Sequence, residues 1–212
     1  MNRRYAIVAL VTAVAAGFLF ASSSLQEIFF SITEQAESIS HQNAVLVYTI
    51  FIVLAALSAM ISPFSSAPVV PVAVMIWGVE LTTIFLLTGW LLGDVAAYLV
   101  GRYAGHPILR VFDVEEKFKK YENYFSERVT FINALLIRLA LPAEIGYGFG
   151  LLNYNFIKYA AVTIIAETIF AVITVRASDA LASLNLSAFI SWVAILILIV
   201  GTFYYLFSQH QK

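Results

Sequence analysis

Arg138 stands in the run FINALLIRLALPAEIGYGFG (131–150), where Glu144 is the one other charged residue. A guanidinium is a planar fork of donors suited to a phosphate or a carboxylate, and in an apolar setting it needs a partner or water. The acidic residues eligible to pair with it are Glu144 in the same run, Asp94 and Glu167. Asp94, Tyr98 and Arg102 recur at i, i+4 and i+8 and therefore share one helix face. Glu167 sits near the middle of another apolar segment. Carboxylates at such depth can take up protons and couple transport to them, and an arginine beside them can hold an anion. The competing reading is structural: fixed ion pairs and hydrogen-bonded carboxylates that hold helices together.

Other chemistry is poorly represented. The chain has no cysteine, and His41, His106 and His210 are scattered without ligand spacing, so no metal site, disulfide or cofactor is implied. There is no Gly-x-Ser-x-Gly and no His-Glu-x-x-His, which weakens an enzyme reading. A net charge of −1 offers no basic stripe for nucleic acid.

The elements that must position these residues follow from composition. Of 212 residues 61% are apolar and 12% charged, with a mean hydropathy of +0.89, the balance of an integral membrane protein. Spanning helices are expected at about 5–21, 80–102, 156–175 and 188–207. The first resembles a signal peptide with a cleavage site at Ala21-Ser22-Ser23, but its length favours a retained anchor. Leu25, Ile28, Phe29, Ile32, Ala36 and Ile39 line one face of an interfacial helix that follows, completing an N-terminal segment 1–43 ahead of a transmembrane domain 44–212. Six of the twelve Lys and Arg lie in 102–128, around Val114, Phe118, Tyr121 and Phe125 at helical spacing, so this loop reads as a bilayer-hugging helix.

Two apolar stretches are broken by proline: 44–78 at Pro63 and Pro68, ending in Gly78, and 129–153 at Pro142, ending near Gly150. Short basic loops stay in the cytoplasm. Arg3 and Arg4 put the N-terminus inside, and the basic loop 102–128 must also be inside. Parity holds only if both broken stretches are re-entrant hairpins, the first entering from outside and the second from the cytoplasm. The C-terminal tail is then cytoplasmic. Ten of the twelve Lys and Arg lie inside, with Arg138 buried and Arg176 outside. The fold class is thus all-α, with about four spans and two hairpins of opposite orientation. Each hairpin is followed by a helix bearing an acid, Asp94 or Glu167, and then an arginine, Arg102 or Arg176. That order is inverted-repeat-like and would place a binding site near the midplane. Gly89, Gly93, Ala97, Gly101 and Gly105 form a small-residue ridge for close helix packing. Gly146, Gly148 and Gly150 are expected to relax the backbone after Pro142.

Three blocks in this order resemble the DedA-like, or VTT-domain (SNARE-associated), membrane proteins: SPFSSAPVVPVAVMIWG (62–78), LLGDVAAYLVGRYAGHPIL (91–109) and FINALLIRLALPAEIGYGFGLLNYNFIKY (131–159). The resemblance covers roughly 45–175. It implies opposed re-entrant hairpins and movement of phospholipid or polyprenyl phosphate between leaflets, with Arg138 matching the first arginine of the family hairpin and Asp94 an acidic position before the basic loop. Many bacterial members carry a second arginine where this chain has Glu144, and a glutamate in the first hairpin where it has SSAPVV. The chain therefore sits nearer the less charged, scramblase-like branch.

On this reading a phospholipid headgroup is held by Arg138, Glu144, Tyr147 and the hairpin backbone at Pro142, while Asp94 and Glu167 balance charge or take up a proton. Pro63, Pro68, Gly78, Gly93, Gly101, Arg102 and Gly150 shape and pack the hairpins and helices. The expected partners are membrane lipids, with proton coupling and homo-oligomer formation as options, in the inner membrane of a bacterial or archaeal cell. The rivals are a proton- or cation-coupled transporter of a small solute and a non-transporting membrane scaffold.

Overall fold

The computed structural model of the chain describes Ser38 and residues 43–61, 66, 68–111, 130–141 and 143–209, without the side chains of 106–111, 204 and 207–209. The expected N-terminal span and interfacial helix, Pro63, Pro142 and most of the basic loop lie outside the described residues. Among the described residues every regular element is helical: α1 (Ala44–Met60), α2 (Val70–Val111), α3 (Phe131–Ala140), α4 (Ile145–Leu151), α5 (Phe156–Ala182) and α6 (Leu186–Gln209).

Among the described residues three helical segments are long and apolar enough to cross a membrane: Val70–Gly105, Phe156–Ala182 and Leu186–Phe203. The last two match the expected spans. The first is longer than the expected 80–102, because a further helical segment from Val70 adjoins it across Gly78. At Gly78 the backbone takes φ 77° and ψ 173°, a region open essentially to glycine alone. Two helical segments therefore meet there at a kink, at the glycine expected to end the first broken stretch. Pro71 falls in the first turn of α2, where a missing N–H breaks no helical bond.

Both proline-marked stretches are helix–break–helix units. In the first, α1 ends at Met60 and α2 begins at Val70. Pro68 is exposed in the turn before α2, and the Ser66 carbonyl accepts from the N–H groups of Val69 and Val70. The Trp90 indole donates to Ser58 Oγ (3.2 Å), which lies 3.1 Å from the buried Ser66 hydroxyl and so ties the break to α2. In the second, α3 ends at Ala140 and α4 begins at Ile145. Polar caps start three helices: Thr130 Oγ1 accepts from Asn133 N, Asn155 Oδ1 from Lys158 N and Asn185 Oδ1 from Ala188 N.

The small-residue ridge of α2 serves two partners. A Cβ on Gly89 or Gly93 would run into Ala55, Ala59 and the α1 carbonyls of Ile52 and Ala56. One on Gly101 would strike the Tyr147 carbonyl of α4, and one on Gly105 the Leu151 side chain. Gly150 returns the contact, since its Cβ would meet the Tyr98 carbonyl and the Arg102 amide. Gly146, Gly148 and Gly150 therefore do not loosen a loop after the break. They are helical residues of α4, and Gly146 and Gly150 let it lie directly on α2 and Tyr159. Phe149 of this short helix is buried, and Ile145 packs against the same apolar cluster.

Packing forms two apolar clusters, and α5 contributes to both. One joins Phe51 and Ala55, Val70, Ala73, Val74 and Leu86, and Ala171 and Val175. Tyr48, Trp77 and Phe85 close it with ring centroids 4.7–5.6 Å apart, contacts that add to simple area burial. The other gathers Tyr98, Ala134, Phe149, Tyr154, Tyr159 and Val162. α6 packs on α3 and α5 and leaves Ile190, Ile197 and Leu198 mostly exposed, as suits a helix facing lipid tails.

Candidate functional site

Between the two clusters α5 presents Glu167, with Val162 on one side and Ala171 on the other. Arg138, in the last turn of α3, reaches it: Nη2 lies 2.5 Å from Glu167 Oε1 and donates to it. The same nitrogen lies 2.7 Å from Asp94 Oδ2 of α2, an ion pair without hydrogen-bond alignment. The three residues are 1%, 6% and 0% exposed respectively, so a single nitrogen joins three helices inside the protein. Asp94 stands eleven residues before the end of the span at Gly105, and Glu167 eleven residues after the start of the next at Phe156. At a rise of ~1.5 Å per residue both lie about 16 Å in, close to the middle of a ~30 Å hydrocarbon core.

One cation and two carboxylates do not cancel. The formal sum is −1 when both acids are ionised, in surroundings where every charge is weakly screened. The hydrogen bonding is also incomplete, since Arg138 Nε and Asp94 Oδ1 have no partner among the described residues. Buried donors and acceptors are usually satisfied. This cluster keeps an unpartnered donor and an unpartnered acceptor.

Tyrosines enclose the cluster on the side of the Arg102 end of α2. Tyr159 donates to the Asp94 carbonyl (3.0 Å) and stacks on Tyr98, with centroids 4.8 Å apart. Tyr98 donates to the Tyr154 carbonyl (2.5 Å) and accepts from Arg102 Nη1 (3.0 Å). Phe149 leans on Tyr154 and Tyr159. The shared face of Asp94, Tyr98 and Arg102 is therefore matched on α5 by Tyr159, Thr163 and Glu167, also at i, i+4 and i+8 and all buried. That second stripe was not singled out from sequence, although its spacing was available.

Of the residues expected to hold substrate, Arg138 is brought to Asp94 and Glu167. Tyr147 points elsewhere: its hydroxyl donates to the Met60 carbonyl at the end of α1 (3.0 Å). Glu144 stands at the N-terminal boundary of α4, half-buried and without a side-chain capping bond. Both ion pairs among the described residues belong to Arg138.

Apolar helices of spanning length around a buried charge cluster define an integral membrane protein. The VTT domain matches residues 62–180, more than half the chain and all three members of the cluster, so the chain belongs to the VTT-domain family of DedA-like, SNARE-associated proteins. No curated protein and no solved structure matches it.

Proposed function

We propose that the protein moves phospholipid or polyprenyl phosphate between leaflets, with the Asp94–Arg138–Glu167 cluster as its gate. The observation that carries this reading is the unfilled Arg138 Nε inside a cluster that is one positive charge short. A proton on either carboxylate would bring the formal sum to zero and loosen one of the two contacts on Nη2. The guanidinium would then be available to a headgroup phosphate, while the acyl chains stay among the lipid-facing helices. No cofactor and no covalent chemistry is required, and we assign no enzymatic activity.

Helix length supports a re-entrant arrangement. At ~1.5 Å per residue α1 is about 25 Å long and α3 about 15 Å, both short of a ~30 Å core. We place the α1–α2 unit as a hairpin entered from the outside with its break within the bilayer, the α3–α4 unit as a hairpin entered from the cytoplasm, and both termini in the cytoplasm, in a prokaryotic inner membrane. Broken helices at this depth are tolerated where protein or water satisfies their backbone.

A scaffold reading is favoured by one fact: Arg138 is engaged by two carboxylates from different helices, as a structural clamp would be. The test compares wild type with Arg138→Gln in proteoliposomes at matched reconstitution, following fluorescent phospholipid and a polyprenyl phosphate. Translocation lost in a folded variant supports the gate. No movement above empty liposomes for wild-type protein would overturn the proposal and leave the clamp. Solute flux driven by a pH gradient, without lipid movement, would point instead to the coupled transporter.

A further inference from the structure

A second polar feature lies apart from the charge cluster, where α2 leaves its apolar span and α5 begins. A cavity of about 460 Å³ is lined by Arg102, Asn153, Tyr154, Asn155, Phe156, Ile157 and Lys158, within the roughly 300–1,000 Å³ of small-ligand sites. Two of the described lining residues are cations and none is a carboxylate. Neither cation forms an ion pair among the described residues. Arg102 uses one of its five N–H donors on the Tyr98 hydroxyl, which holds the guanidinium in place and leaves its other donors for a guest. Asn153, at φ 50°, turns the chain from α4 toward α5. Asn155 then caps α5 and fixes the backbone at Lys158.

The surroundings select the class of guest. Both cations stand at ends of membrane spans, Arg102 three residues before Gly105 and Lys158 two residues after Phe156, which is the level of lipid headgroups. Beside the cations, Ile157 is 77% and Phe156 38% exposed, so an apolar rim adjoins a cationic lining. A free anion would use only the lining. A lipid with an anionic phosphate would use both.

We infer that this cavity binds the phosphate of an anionic lipid headgroup, with Arg102 and Lys158 as its two cationic contacts. The site does not depend on Arg138 or on translocation. Tyr98 and Tyr159 separate it from the charge cluster, and occupancy at equilibrium is enough to define it.

The test is equilibrium binding of labelled dioctanoyl phosphatidate to the full chain in a neutral detergent. Lys158→Gln and Arg102→Gln are each expected to weaken it by about tenfold, the scale of one charge-assisted contact. Lys158→Arg should restore wild-type binding, and because Lys158 is exposed its variants can be scored without concern for folding. Dioctanoylglycerol, which lacks phosphate, should bind far more weakly. Inorganic phosphate should compete only at concentrations well above those of the lipid. Translocation is scored separately in proteoliposomes, so a failure of translocation and a failure of this site read differently. Binding that is indifferent to Lys158→Gln and Arg102→Gln, or equal binding of dioctanoylglycerol, would overturn the site. Inorganic phosphate competing at equal concentration would overturn its assignment to lipid.

Discussion

Arg138 has two acidic partners, and the consequence of removing each member of the cluster differs. Asp94→Asn or Glu167→Gln leaves one guanidinium facing one carboxylate, a balanced pair. Arg138→Gln leaves two carboxylates together with no cation. Breaking a buried pair by deleting one partner commonly costs about 3–5 kcal/mol, and that scale is expected for Arg138→Gln, with smaller losses for either carboxylate variant. Thermal unfolding in detergent checks the order, and a carboxylate variant less stable than Arg138→Gln would contradict the geometry. The cluster was partly legible in the sequence, because so few charges interrupt the apolar segments that each must have a reason to be there. The choice of partners was not legible. Glu144 is nearer in sequence than Asp94 or Glu167, but α3 stops at Ala140 and the intervening turn carries Glu144 off the face that holds Arg138. Tyr159 was passed over because an aromatic near the start of a span reads equally well as an interfacial anchor.

Glycines and helix ends decide how the elements meet. Gly148 and Gly150 are two residues apart in α4, yet a Cβ on Gly148 would make an ordinary 3.6 Å contact with Ile145 Cδ1, whereas one on Gly150 would enter the α2 backbone at Tyr98 and Arg102. Gly148→Ala should therefore stabilise by roughly 0.5–1 kcal/mol through helix propensity, and Gly150→Ala should lower the melting temperature by pushing α4 off α2. Equal effects of the two would contradict the packing described. Leu184 ends α5 at φ 56°, with Asn185 N bonded to the Ala180 carbonyl (2.8 Å), a closure that usually carries glycine. Leu184→Gly is expected to raise stability by about 1 kcal/mol in the same assay. The ridge on α2 could be read from its four-residue spacing. That it divides between α1 and α4 could not, because spacing shows that a partner approaches and is silent on which one. Gly78 was legible as the end of the first broken stretch, and its non-helical backbone angles mark a kink there between two helical segments.

At the scale of the whole molecule, the spans at α5 and α6 were legible because each is a long apolar helix without interruption, and sidedness is the property left to measure. The chain has no cysteine, so single introduced thiols report cleanly. Phe131→Cys and Ile157→Cys, at the two ends of the α3–α4 unit and both exposed, should label from the same side of sealed vesicles, and Leu186→Cys from the other. Labelling of positions 131 and 157 from opposite sides would exclude a hairpin. The cluster at Arg138 also sets an order of events during synthesis. Asp94 is made first and Arg138 second, but Glu167 follows 29 residues later, so the α3 arginine leaves the ribosome before its hydrogen-bonded acceptor does. Nascent chains halted with α3 released and α5 still inside the ribosome should hold α3 loosely and be cleared by quality-control proteases, while chains that have released α5 should be protected. Closure of the three-helix cluster then waits for the second carboxylate.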